Sequence, residues 1–83
     1  MKTKERLREF IVSELNWPGS KDQLTDDFPL IDKKVVDSLG IFSIVSFVES
    51  EFGIEIQDEE LIPTNFKSIN SISELVDSKR GSA

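Results

Sequence analysis

The stretch Val35–Phe52, VVDSLGIFSIVSFVESEF, admits few folds. Its apolar residues recur at helical spacing, and punctuation stands at both ends. Asp37-Ser38 opens it. A short side-chain oxygen at either position reaches a backbone N–H two or three residues on, so either residue is a candidate cap. Gly53 closes it, because glycine accepts the positive φ that follows a last helical turn. A helix over Ser38–Phe52 therefore sets Ser38 in its first turn. Unpaired N–H groups point outward there, beside the positive end of the helix dipole. A hydroxyl so placed is a suitable point for attaching a phosphate.

Stepping about 100° per residue from Ser38 gathers Ile41, Ile44, Val45, Val48 and Phe52 on one arc, with Phe42 at its margin. That arc is the expected core stripe. The opposite arc holds Gly40, Ser43, Ser46, Ser50 and Glu51, together with Leu39 and Phe47. Two large apolar side chains on an otherwise polar face either stand there singly, which is ordinary for a surface, or form a docking patch beside the serine. The docking reading is preferred.

These residues carry a resemblance. Asp37-Ser38-Leu39, preceded by Val35-Val36 and followed by an apolar helix ending in Glu49-Ser50-Glu51-Phe52-Gly53-Ile54, resembles the modification site of acyl carrier proteins. Ile56-Gln57-Asp58-Glu59-Glu60-Leu61 stands in register with that family too, and the likeness runs from about Glu5 to Asp77. In the family the serine bears 4′-phosphopantetheine through a phosphodiester, and the thiol of that arm carries acyl groups as thioesters. The resemblance implies that Ser38 is the attachment site. Asp37 has two compatible readings: it simply caps the helix, or it also helps position the incoming phosphate and its metal in the transferase complex. A separate phosphopantetheinyl transferase would install the arm from coenzyme A with Mg²⁺. Further implied partners are an acyl- or aminoacyl-loading enzyme and downstream synthase enzymes. Their expected contact is Leu39, Ser43, Phe47, Ser50 and Glu51. One departure is informative. Carriers of fatty acid synthesis usually set glutamates along this face, whereas Ser43, Ser46 and Ser50 stand here, with only Glu49 and Glu51 acidic. A dedicated partner set with a more apolar contact, as in polyketide or nonribosomal peptide pathways, fits better.

Composition narrows the alternatives. A chain of 83 residues makes one small domain, residues 1–83, and such a domain hides only about 60% of the surface its unfolded chain exposes. The net charge of −6 disfavours nucleic acid, whose phosphates would be repelled, and favours partners with basic patches. There is no cysteine and no histidine, which removes the thiolate nucleophile, the usual general base and the commonest metal ligands. A serine nucleophile needs a base and a group to orient it. Only Asp37, Asp32, Lys33 and Lys34 lie near Ser38 in sequence, and they form no Ser-Lys motif. No catalytic residue is assigned, and the protein is read as a non-enzyme. Asp26, Asp27, Asp32 and Asp37 lack the spacing of a calcium loop, so no metal site is assigned. MKTKERLREF has no apolar segment behind its positive charges, and no stretch approaches the roughly 18 apolar residues of a membrane span. A cytoplasmic, free-standing monomer without membrane contact is expected.

Elsewhere, Leu7, Phe10, Ile11 and Leu15 make one stripe on a helix over Thr3–Leu15, which Trp17-Pro18-Gly19 stops. Ser20–Val36 has no sustained period. Its Leu24, Phe28, Leu30, Ile31, Val35 and Val36 are expected to tuck under the helices, while Asp26, Asp27, Asp32, Lys33 and Lys34 stay wet. Ile54–Ile56 reads as extended, Asp58–Leu61 as a helical turn, and Thr64–Phe66 as a one-turn helix with Phe66 inward. Asn70 or Ser71 is expected to cap a last helix, with Glu74 completing a capping box. Lys79–Ala83 reads as a loose tail. The fold expected is all-α: a four-helix bundle of acyl-carrier-protein type, with a long loop between helices 1 and 2 and a short third helix. The alternative is a four-helix interaction module that carries no arm and binds through Leu39 and Phe47.

Overall fold

In the computed structural model, which describes residues 3–15 and 17–80, the chain is built of α-helices with no strand among those residues. The helices are α1 (Thr3–Glu14), α2 (Ser38–Phe52), the one-turn α3 (Pro63–Phe66) and α4 (Ile69–Lys79). Short 3₁₀ turns occupy Lys21–Gln23 and Asp58–Glu60. This is the all-α arrangement expected from the helical spacing, with a long first connection and a short third helix.

One contiguous core runs through all four helices. Leu7 and Ile11 come from α1, Ile44 and Val48 from α2, Phe66 from α3, and Ile69, Ile72 and Val76 from α4. The long connection adds Leu24, Leu30 and Val36, each as buried as the helical residues. Phe66 is the largest fully buried side chain. Burying a Phe, Leu or Ile contributes about 1.5–3 kcal/mol relative to leaving it exposed, so the loop residues stabilise the domain as much as a helical stripe does.

The connection is stitched down by polar contacts that its sequence did not announce. Arg8 of α1 donates its Nε–H to the Leu24 carbonyl at 2.8 Å and pairs with the Asp26 carboxylate, which Lys4 also approaches. Asp26 is therefore half-buried rather than wet. Its carbonyl accepts the Asn70 N–H at 2.9 Å, satisfying an orphan donor in the first turn of α4. The Leu30 N–H donates to the Lys67 carbonyl at 2.8 Å. Trp17 packs edge-on against Phe28, centroids 4.9 Å apart, and donates its indole N–H to the Ser20 carbonyl.

Two expectations about α4 are corrected. Its cap is Ser68, not Asn70 or Ser71. The Ser68 hydroxyl accepts the Ser71 N–H at 3.2 Å, and Ser71 Oγ accepts the Ser68 N–H at 3.1 Å. Serine thus plays the reciprocal part expected of Glu74, which is exposed. The helix starts early because Ile69 belongs to the core. The expected tail also begins later. Lys79 lies in α4 and binds Glu60 at 2.8 Å, and the Arg80 guanidinium sits 5.5 Å from the centre of the Phe52 ring. The remainder of that tail, residues 81–83, falls outside the described residues.

Candidate functional site: the exposed start of α2

The chain reaches Ser38 through a tight reversal. The Val35 N–H donates to the Leu30 carbonyl at 2.9 Å and the Lys34 N–H to the Ile31 carbonyl at 3.0 Å. This is the bonding pattern of a Schellman turn, which requires a left-handed residue at its penultimate position. Lys34 fills it at φ 64°, the only non-glycine positive φ among the described residues. The turn drives Val36 into the core and returns Asp37 and Ser38 to the surface.

Asp37 is the cap of α2. Its backbone is extended, and its carboxylate accepts the Gly40 N–H at 2.8 Å. The Ile41 N–H makes the first intrahelical bond, to the Asp37 carbonyl. Ser38 is consequently the first helical residue and is exposed, with its hydroxyl not consumed by capping. At the other end Gly53 takes φ 65° and donates its N–H to the Glu49 carbonyl. Glu49 is turned to structural work, since its carboxylate accepts the Ile56 N–H at 2.9 Å.

The rotation of α2 differs from the expected one. Its buried line is Gly40, Ile44 and Val48. Phe47, read from the sequence as an outward residue, is half-buried and stacked on Phe10 of α1, centroids 4.4 Å apart and planes 19° from parallel. Phe52 meets it edge-on at 6.2 Å. Phe42, placed at the margin of the core, is 58% exposed, beside Leu39 at 76%. The core axis is turned by about 60° from the expected arc at 100° per residue. The reason is α1, which covers the Phe47 flank and leaves the Phe42 flank bare.

The residues proposed as a partner contact fall into two adjoining depressions. One, of about 470 Å³, is lined by Phe10, Glu14, Ser43, Ser46, Phe47, Ser50 and Glu51. The next, of about 310 Å³, continues past Ser43 to Leu39, Gly40, Asp37 and Lys34. Ser43, Phe47, Ser50 and Glu51 are thus brought together, and Leu39 stands at the neighbouring rim. Glu51 is not a free acid, because Arg6 of α1 pairs with it. A third depression, about 440 Å³, opens on the far side of Ser38 over Ile31, Val36, Ile41 and Pro63, with Lys34 and Asp37 at its edge. Phe42 and Ile62, 45% exposed, were missed as surface apolar residues. Helical periodicity could have found Phe42 only if the position of α1 were known. Among the described residues no cluster of three or more potential metal ligands occurs, and no helix is long and apolar enough to cross a membrane.

Among the described residues one titratable group is clearly perturbed. The Lys79 ammonium, with help from the Gln57 N–H, holds the Glu60 carboxyl below its ordinary range. This pair braces the segment before α3, where the Asn65 amide also donates to the Glu60 carbonyl.

Known proteins resemble the chain along most of its length, although no protein-family model matches it. The "Acyl carrier protein homolog" of Mycoplasmopsis pulmonis is 36% identical over 73 residues, covering 88% of this chain and 94% of the relative. "Probable acyl carrier protein PigG" of a Serratia species is 38% identical over 58 residues, 70% and 67% of the two chains. "Polyketide-8 synthase acyl carrier protein 2" of Streptomyces avermitilis is 33% identical over 78 residues, 94% and 85%. The armless interaction module is not favoured by these likenesses. With a four-helix fold and an exposed Asp-Ser-Leu at the head of α2, the chain belongs to the acyl carrier protein family and functions as a carrier.

Proposed function

We propose that Ser38 bears a 4′-phosphopantetheine arm on which acyl or aminoacyl groups travel as thioesters between biosynthetic enzymes. The observation that carries this reading is the division of labour at the head of α2. Asp37 makes the cap bond, and the neighbouring hydroxyl is left exposed. The residues present fit such a group. A phosphodiester at Ser38 would lie at the positive end of the α2 dipole, next to N–H groups that precede the first intrahelical bond. A depression with an apolar floor adjoins it. When attached, the arm supplies a thiol that this cysteine-free chain lacks.

The protein's own part is to hold that hydroxyl rigidly and to be recognised. A phosphopantetheinyl transferase would form the Ser38 Oγ–phosphorus bond as a P–O bond of the coenzyme A pyrophosphate breaks and adenosine 3′,5′-bisphosphate leaves. The hydroxyl proton would leave to the transferase or to solvent. Asp37 is proposed to help position the phosphate during that transfer. A loading enzyme and downstream synthase enzymes would then meet Leu39, Ser43, Ser50, the open edge of Phe47, and Glu51. The hydroxyl-lined face, and relatives whose names include a polyketide synthase carrier, support a polyketide or nonribosomal peptide pathway rather than general fatty acid synthesis. A single cytoplasmic, monomeric domain over residues 1–83 completes the proposal.

Co-expression with a broad-specificity transferase, followed by intact-mass measurement, tests it. One added arm is expected on the wild-type chain and none on Ser38→Ala. A folded wild-type protein that gains no mass would refute the assignment. Ejecting the arm from protein loaded in a producing lysate would then read the cargo.

A further inference from the structure

Lys34 occupies an unusual position. It is exposed, and it takes no part in the ion pairs found among the described residues, which engage Lys4, Arg6, Arg8, Lys21 and Lys79. It lines the depression that contains Ser38 and also the one that runs past Leu39 and Gly40, a placement it shares only with Asp37. Its backbone is held at φ 64° by the turn that closes on Leu30 and Ile31, a conformation that disfavours any residue with a Cβ. Glycine or asparagine would serve that turn at lower cost, so the turn by itself does not account for a lysine.

Charge gives a reason. A phosphodiester at Ser38 would add a negative charge beside Asp37 on a chain whose net charge is already −6. The dipole of α2 offsets part of that, and Lys34 is the cation that lines the depression containing Ser38. We propose that Lys34 is the counter-ion of the phosphodiester at Ser38, and that it holds the root of the arm over the apolar depression of Ile31, Val36, Ile41 and Pro63. This rests on the reading of Ser38 as the attachment site. Lys33, also exposed, lines neither depression and serves as the control.

The test uses the arm-bearing protein, confirmed by intact mass. Phosphorus-31 relaxation reports the order of the phosphodiester, and proton NOEs report whether the arm's geminal methyls lie near Ile31 or Ile41. In Lys34→Gln the anchored population should fall about twofold, the scale of an exposed ion pair, with the NOEs weakened. Lys34→Arg should preserve both, and Lys33→Gln should change neither. Lys34→Gly removes the ammonium without backbone strain and should behave as Lys34→Gln does, which separates the charge from any folding defect. Raising salt to about 1 M, where screening acts within about 3 Å, should bring the wild type close to Lys34→Gln. Equal phosphorus order in wild type and Lys34→Gln would overturn the proposal, as would an equal loss in Lys33→Gln. Failure to add the arm at all would instead refute the Ser38 assignment.

Discussion

At its C-terminal end α2 is gripped by side chains from distant parts of the chain. Phe10 stacks on Phe47, Arg6 pairs with Glu51, and Arg80 lies over Phe52. At its N-terminal end the polar contacts are local: Asp37 reaches Gly40, and the Leu30–Val35 turn sits immediately upstream. Ser38, Leu39 and Phe42 are left bare there. The contrast teaches how a small domain presents a working group. Long-range contacts fix the far end and the rotation of the helix, so the near end needs only a cap. A hydroxyl on that end is rigidly aimed without being covered, and partner enzymes can approach it from several sides.

The contrast predicts a gradient of mutational cost. The largest effect is expected for Phe47→Ala, which removes a half-buried ring from the Phe10 stack. A loss of about 2–3 kcal/mol is expected, below the full cost of a core Phe truncation because one edge is open. Phe42→Ala should change stability by less than about 0.5 kcal/mol. Urea unfolding midpoints measure both, and equal costs would mean that α2 is rotated differently.

At the cap, Asp37→Ala should cost about 1 kcal/mol, because the Gly40 N–H loses its acceptor. Ser38→Ala should be nearly silent. The reverse order, read by thermal unfolding, would make Ser38 the structural residue and undo the division of labour.

The smallest effect concerns acid. Lys79 holds the Glu60 carboxyl below its ordinary range. A carboxyl depressed in the folded state adds stability that is fully present above its unfolded pKa. That increment is lost as pH falls through the lower, folded value. Lys79→Met should therefore lower stability slightly at neutral pH and flatten the acid limb of the stability curve just below the ordinary carboxylate range. An acid limb unchanged in Lys79→Met would show that the pair contributes nothing to the brace before α3.

Much of this was readable in advance wherever the relevant physics is local. The bounds of α2 follow from Asp37 and Gly53, whose partners Gly40 and Glu49 lie three and four residues away. Phe66 was expected inward and is fully buried. The likeness to carrier proteins, read on Asp37-Ser38-Leu39, agrees with the relatives found. The misreadings share a cause. Periodicity gives the spacing of apolar residues on a helix but leaves its rotational phase open when the apolar arc is wide. Leu39, Phe42 and Phe47 left α2 with apolar side chains on nearly every flank, and only the seat of α1 decided which of them would be covered. The α4 cap was misplaced for a related reason: several serines and an asparagine compete within Ser68–Ser71, and the burial of Ile69 chose among them.

By itself, then, the sequence determined where the second helix of this carrier begins and ends, and that a serine stands at its head. Caps and turn residues act within a few positions of themselves, so that information is written locally. Tertiary structure alone decided that Phe47 is covered and Phe42 bare, and that the Asp26 carbonyl serves the first turn of α4. Each of these depends on which surfaces meet across the core, a competition among distant side chains for the same buried space.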